Sequence, residues 1–362
     1  MNHDCRSHGY LRNWGRFRRL ALGWAATAVM VLGVVGVGTD VAAADTVIAT
    51  VPVGDAPLGM AMSPFGSRVY TADRSGDSVS VIETVGNTVV DTVTVGNGPW
   101  GVAVAPNGLL LYVTSTDGAM VSVIETAGNT VVDTIAVGDI PRGVAVSPDG
   151  SRVYVAHLFS ATMSVIDTAT NDVIDIVSVG NGASGVALSP NGSHVYVTNA
   201  IADTVSVVET ATNAVIATVT VGENPDGVAV TPDGSRVYVA NIEGDSLSVI
   251  ETVGNTVVET IAAGEGPFGV TVTPDGSRVY VTSSDSDSVS VIETTGNSVV
   301  ETVAVGDFPA GVTVSPLGFR VYVANAFDDT VSVIAVDQCA GSLCIDFGSL
   351  TGSGSGAGSA FS

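Results

Sequence analysis

The chain has 362 residues, of which 46% are hydrophobic, 43 are glycine and only 13% are charged, which argues against a disordered or helical chain. Lys+Arg number 12 against 36 Asp+Glu, and no lysine occurs. Setting aside the five arginines and two aspartates before residue 45 leaves 7 basic and 34 acidic residues, a net of −27, which argues against a nucleic-acid partner.

The first segment has the parts of a secretory signal. A basic stretch ends in Arg16-Phe17-Arg18-Arg19, an apolar stretch runs from about residue 20 to residue 38, and Ala42-Ala43-Ala44 supplies an A-x-A cleavage site before Asp45. Residues 1–44 are therefore expected to be a signal peptide, with the general secretory and twin-arginine routes both open. The expected destination is extracellular, periplasmic or cell-surface. Membrane association is expected only if this segment stays uncleaved.

From residue 45 onward the chain repeats. Seven tyrosines, from Tyr70 and Tyr112 to Tyr322, recur every 42 residues, as do Gly59 to Gly311 and Pro64 to Pro316. Residues 45–51 align with residues 87–93, so the register starts where the signal ends. In residues 101–138, short runs rich in Val, Ile and Thr predict strands at 101–104, 110–114, 121–126 and 130–137, joined by Pro-Asn-Gly and Gly-Asn turns. The second of these turns is expected to be a two-residue hairpin turn. A fixed period near 40 with four strands per unit predicts an all-β, seven-bladed β-propeller of four-stranded antiparallel blades over residues 45–338. The last copy has only three strands after Gly311, and residues 45–53 are an orphan fourth strand. Pairing the two closes the ring and removes two exposed sheet edges.

Beyond the ring, Cys339 and Cys344 are a candidate disulfide in an exported protein, with free thiols or a link to a partner as the alternatives. Residues 339–362 comprise this pair and a Gly/Ser-rich, linker-like tail.

Val195-Tyr196-Val197-Thr198-Asn199 contains Tyr-Val-Thr-Asn, and residues 231–241 and Ala211-Thr212-Asn213 add flanking matches. In these residues the chain resembles the YVTN family of β-propeller repeats. The resemblance covers about residues 45–338 and implies an extracytoplasmic propeller, similar to prokaryotic surface-layer and cell-surface proteins. More distantly it is similar to propeller lactonases and to the propeller domain of nitrous-oxide reductase. It carries over no catalytic residue.

Chemistry-bearing motifs are sparse. After residue 44 only His157 and His194 remain, and G-x-S-x-G, H-E-x-x-H and P-loop patterns are absent. Asp285-Ser286-Asp287 is a fragment of a calcium loop without its later ligands, so no cofactor or metal is expected, with Ca2+ on channel carbonyls left open. Glu83, Glu125, Glu209, Glu251 and Glu293 recur at one place in the repeat and read as rim residues.

In a repeat protein, function belongs where the copies differ. The residue before the second glycine of Gly-[Asp/Asn/Glu]-x-Pro-x-Gly varies most: Leu58, Trp100, Arg142, Ser184, Asp226, Phe268 and Ala310. These positions should ring one mouth of the channel, beside loops carrying His157, Phe159 and Phe327. Neutral drift in exposed loops is the plain alternative. The sharper expectation is a binding face of Leu58, Trp100, Arg142, His157, Phe159, Asp226, Phe268 and Phe327, because aromatic and Arg residues anchor interfaces. The expected function is a non-enzymatic, monomeric, exported scaffold that binds a protein, a cell-wall component or a small molecule. The alternative is a lactonase-like hydrolase or lyase acting at the same mouth.

Overall fold

The structure, a computed structural model, describes residues 44–337. The expected signal segment through residue 43, the Cys339/Cys344 pair and the tail lie outside the described residues. Within them, 28 strands form seven four-stranded antiparallel sheets. The first, β1 (Thr46–Pro52), pairs with the last, β28 (Thr330–Ala335), from Thr46 opposite Ala335 to Pro52 opposite Thr330. Blade 7 is thus β26 (Pro309–Val314), β27 (Arg320–Asn325), β28 and β1, and the expected closure is present.

Blade 1 shows how the residues make the unit. It runs outward from β2 (Pro57–Met62) through β3 (Arg68–Asp73) and β4 (Ser78–Glu83) to β5 (Thr88–Thr94). The two middle strands are buried on both faces and read as near-continuous Val, Ile and small residues, whereas β5 is largely exposed. The recurring tyrosines are wedges between blades. Tyr70 packs among Val102, Leu111, Val113 and Ile124 of blade 2, and each such buried side chain contributes about 1.5–3 kcal/mol.

The turn after the third strand differs from expectation. It is a four-residue loop, such as Thr84 to Asn87, and the left-handed residue is the asparagine: Asn87 has φ 49° and Asn129 φ 50°. Asn tolerates that region better than other non-glycine residues, so the preceding glycine is not needed for it.

Seven glycines set the bore of the ring. A Cβ on Gly59, Gly101, Gly143, Gly185, Gly227, Gly269 or Gly311 would overlap the carbonyl oxygen of the next blade, from Trp100 round to Leu58. Adjacent inner strands therefore meet backbone to backbone, a separation that only glycine permits.

Candidate functional site

We call upper the end of the ring that carries the loops between second and third strands. The seven variable residues do ring this mouth, but most face inward. Leu58, Ser184, Asp226 and Ala310 are buried, and Trp100 is only 7% exposed. Phe268 and Arg142 are half-buried.

Trp100 is the centre of the arrangement. The Arg142 guanidinium lies 4.1 Å from its ring centroid and that of Arg74 lies 5.1 Å away, both within cation–π range. Arg142 also pairs with Asp226 at 3.3 Å, and the Ser184 hydroxyl donates to the same carboxylate at 2.8 Å. Burial pushes Arg74 below the ordinary guanidinium range, opposed by Asp117. A row of rings leads outward from Trp100: Phe268 at 6.4 Å, then Phe308 6.3 Å beyond it, then Phe327 a further 4.7 Å away. Phe327 is 43% exposed and forms the open end of the row.

The other five arginines of the described residues serve the scaffold near the lower end. Arg68, Arg152, Arg236 and Arg320 donate to the carbonyls of Thr126, Thr210, Thr294 and Thr84 in the next blade, and Arg278 pairs with Asp45. Only Arg74 and Arg142 bring cationic charge to the upper mouth.

Two expected members do not join this row. His157 is not a loop residue: it ends β11 (Arg152–His157) and is fully buried. Its Nε2 and the Ser164 hydroxyl are 2.8 Å apart, and burial holds its pKa down to about 4. It fills the slot of Asn199, whose side chain accepts from the Gly180 amide and donates to Ser206. The physical reason is the repeat itself, since the strand end needs a buried polar clamp. Phe159 is exposed but makes no ring contact with the row among the described residues.

Two features escaped the sequence reading. Phe308 precedes the proline of the connection and has φ 52°, in a slot otherwise held by Ala56, Gly98, Ile140, Gly182, Asn224 and Gly266, all also at positive φ. A large ring where the backbone favours glycine was the available signal. At the lower end, blades 7, 1 and 2 expose Leu317, Phe65 and Leu109. Blades 3 to 6 carry Asp149, Asn191, Asp233 and Asp275 in the slot of Phe65, with serine two residues on.

A recess of about 480 Å³ lies between the outer strands of blades 6 and 7, lined by Val47, Ala304, Gly306, Asn325, Asp328 and Thr330. It brings together no cation or aromatic ring, so the mouth remains the stronger candidate. Among the described residues, no three His, Cys, Asp or Glu side chains gather where they could share a metal ion.

Two family models match parts of the chain: a YNCE-like beta-propeller over residues 186–275 and a lactonase, 7-bladed beta-propeller over residues 252–346. No curated protein matches. Among solved structures 1655 chains match, a breadth that points to the fold and to no single activity. One is a chain of Kuenenia stuttgartiensis hydrazine synthase, with a TM-score of 0.71 and 24% identity over 78% of this chain and 96% of that one. At that identity the likeness concerns the fold. The chain is a seven-bladed β-propeller with segments similar to two propeller families.

Proposed function

We propose that this is an exported, non-enzymatic propeller of the YVTN repeat kind that binds a partner through its upper mouth. The observation that carries the reading is the row Trp100, Phe268, Phe308 and Phe327, with Arg74 and Arg142 beside it. None of these positions holds one fixed residue across the seven repeats, so the repeat does not prescribe these side chains. Aromatic and Arg side chains are the types that dominate binding energy at interfaces. Buried Trp100 serves as the base of the site, and Phe268, Phe308 and Phe327 as its contact surface.

The test uses purified protein and the cell-envelope fraction of the producing organism. Phe268→Ser combined with Phe327→Ser should abolish retention on that fraction while leaving the thermal midpoint within a few degrees. Equal retention of both proteins would refute the reading. A second reading, a hydrolase or lyase at the same mouth, is suggested by the partial likeness of residues 252–346 to a lactonase propeller. Hydrolysis of a lactone and ester panel, lost in the same double variant, would establish it instead.

A further inference from the structure

The staple between neighbouring blades is made differently in blade 7. At four of the other six junctions the left-handed asparagine of the four-residue loop donates its side-chain amide to a carboxylate on the outer strand of the preceding blade, while Asn87 and Asn255 have Ala49 and Ala217 at that position. Asn129 donates to Asp91 at 2.9 Å, Asn171 to Asp133 at 2.7 Å, Asn213 to Asp175 at 2.8 Å and Asn297 to Glu259 at 2.6 Å. The counterparts at the junction of blades 6 and 7 are Asp45 in blade 7 and Glu301 on the outer strand of blade 6, one repeat before Asn87 and one repeat after Glu259.

Asp45 has no side-chain donor. Its buried carboxylate is occupied otherwise, accepting from the Tyr280 hydroxyl at 2.7 Å, the Asp337 amide at 2.8 Å and Arg278 at 3.2 Å. The donor to Glu301 is instead the main-chain nitrogen of Asp45, at 3.2 Å from Oε2. The residue before it, Ala44, is exposed and ends the A-x-A run.

We propose that the Ala44–Asp45 bond is a proteolytic processing site, and that the α-ammonium so released on Asp45 pairs with Glu301 as the missing staple of blade 7. Hydrolysis by a leader peptidase adds water across the C–N bond. Ala44 leaves with the new carboxylate, and Asp45 keeps the amine, which takes up a proton. One peptide N–H then becomes a cation with three donors facing Glu301, and a charge-assisted bond is the stronger kind. The charged and titratable groups around it are Glu301, the Asp45 carboxylate, Arg278, Tyr280 and Asp337. The carboxylates favour the ammonium, so its pKa should stand above the ordinary α-amino range of about 7.7–8.0.

This inference rests on the export reading above, and its test separates the two. With no lysine in the chain, the α-amine is the sole primary amine of the processed protein. N-terminal sequencing of protein recovered from producing cells should begin at Asp45; any other start overturns the proposal, whereas failed envelope binding leaves it intact. On the processed protein, acetylation of the amine removes its charge, whereas reductive dimethylation keeps it. Acetylation should lower the thermal midpoint by about 2–4 °C and dimethylation should not, and Glu301→Gln should abolish the difference. The difference should also disappear as pH rises through the ammonium pKa. Equal midpoints for acetylated and dimethylated protein would overturn the ammonium–Glu301 pair.

Discussion

The rings of Trp100 and Phe268, contributed by blades 2 and 6, stand 6.4 Å apart at the upper mouth. These blades are not neighbours in the ring, so the contact reaches over the channel opening. The residue with the strongest appearance of a binding anchor is thereby part of the packing, and its neighbours further out are the contact surface we propose.

Trp100→Ala should cost about 3–5 kcal/mol, as expected for a buried large ring. Phe327→Ala, at the open end of the row, should cost under about 1.5 kcal/mol. Urea unfolding of the two variants compares them directly. Equal costs would mean that Trp100 is not packed as described.

The left-handed slot before the connection proline can be tested with glycine. Ile140, at φ 51°, is β-branched and poorly suited to that region, so Ile140→Gly should stabilise the protein by about 1 kcal/mol. Phe308→Gly gains the same relief but loses the 4.7 Å contact with Phe327, worth about 0.5–1.5 kcal/mol, and should come out near neutral. Denaturation midpoints of the two variants check the difference in sign.

Asp73 occupies the same buried slot as Asn199 and His157, and accepts from Ser80 at 2.7 Å and Ser78 at 3.2 Å. Burial pushes its carboxyl up to about 7, with the serine hydrogen bonds opposing the rise. The unfolded chain releases this proton near pH ~3.9 while the fold retains it, so stability falls as pH rises from about 4 to about 7. Asp73→Asn should therefore stabilise the protein at pH 8 by roughly 2–4 kcal/mol and have little effect at pH 4. Thermal midpoints at the two pH values provide the readout.

For His157 the sign reverses. Its ring stays neutral down to about 4 because of burial, with a hydrogen bond to the Gly138 backbone and the charge of Asp139 opposing. The unfolded chain protonates this ring near pH ~6.5, so stability is lost as pH falls from there toward 4. His157→Asn should flatten the acid limb of the stability curve while leaving partner binding at pH 7 unchanged. Lost binding would return His157 to the functional face.

The architecture was legible because period and strand chemistry agree. Tyr70 and its six copies mark the blades, and Asp45 in register with Asn87 marks the closing strand. The site was legible only as a set of positions. Leu58, Trp100 and Asp226 break the repeat as surface residues would, yet close approach of the inner strands turns them inward. His157 breaks it within a buried clamp, where Asp, Ser and Asn also serve. Burial depends on how seven blades meet, and no single repeat encodes that. Phe308 was missed because its slot is defined by backbone angle, which composition does not display.

The split seventh blade also has a temporal meaning. Asp45 and the Asp337 amide that it holds are 292 residues apart, so the first strand made is the last to find its partner. Until β26 to β28 exist, β1 is an unpaired strand edge, and closing so long a loop is slow in folding terms. Six blades can assemble in order during synthesis. The ring becomes a ring in one late step, and a chain truncated by even its final strands is left open at both ends.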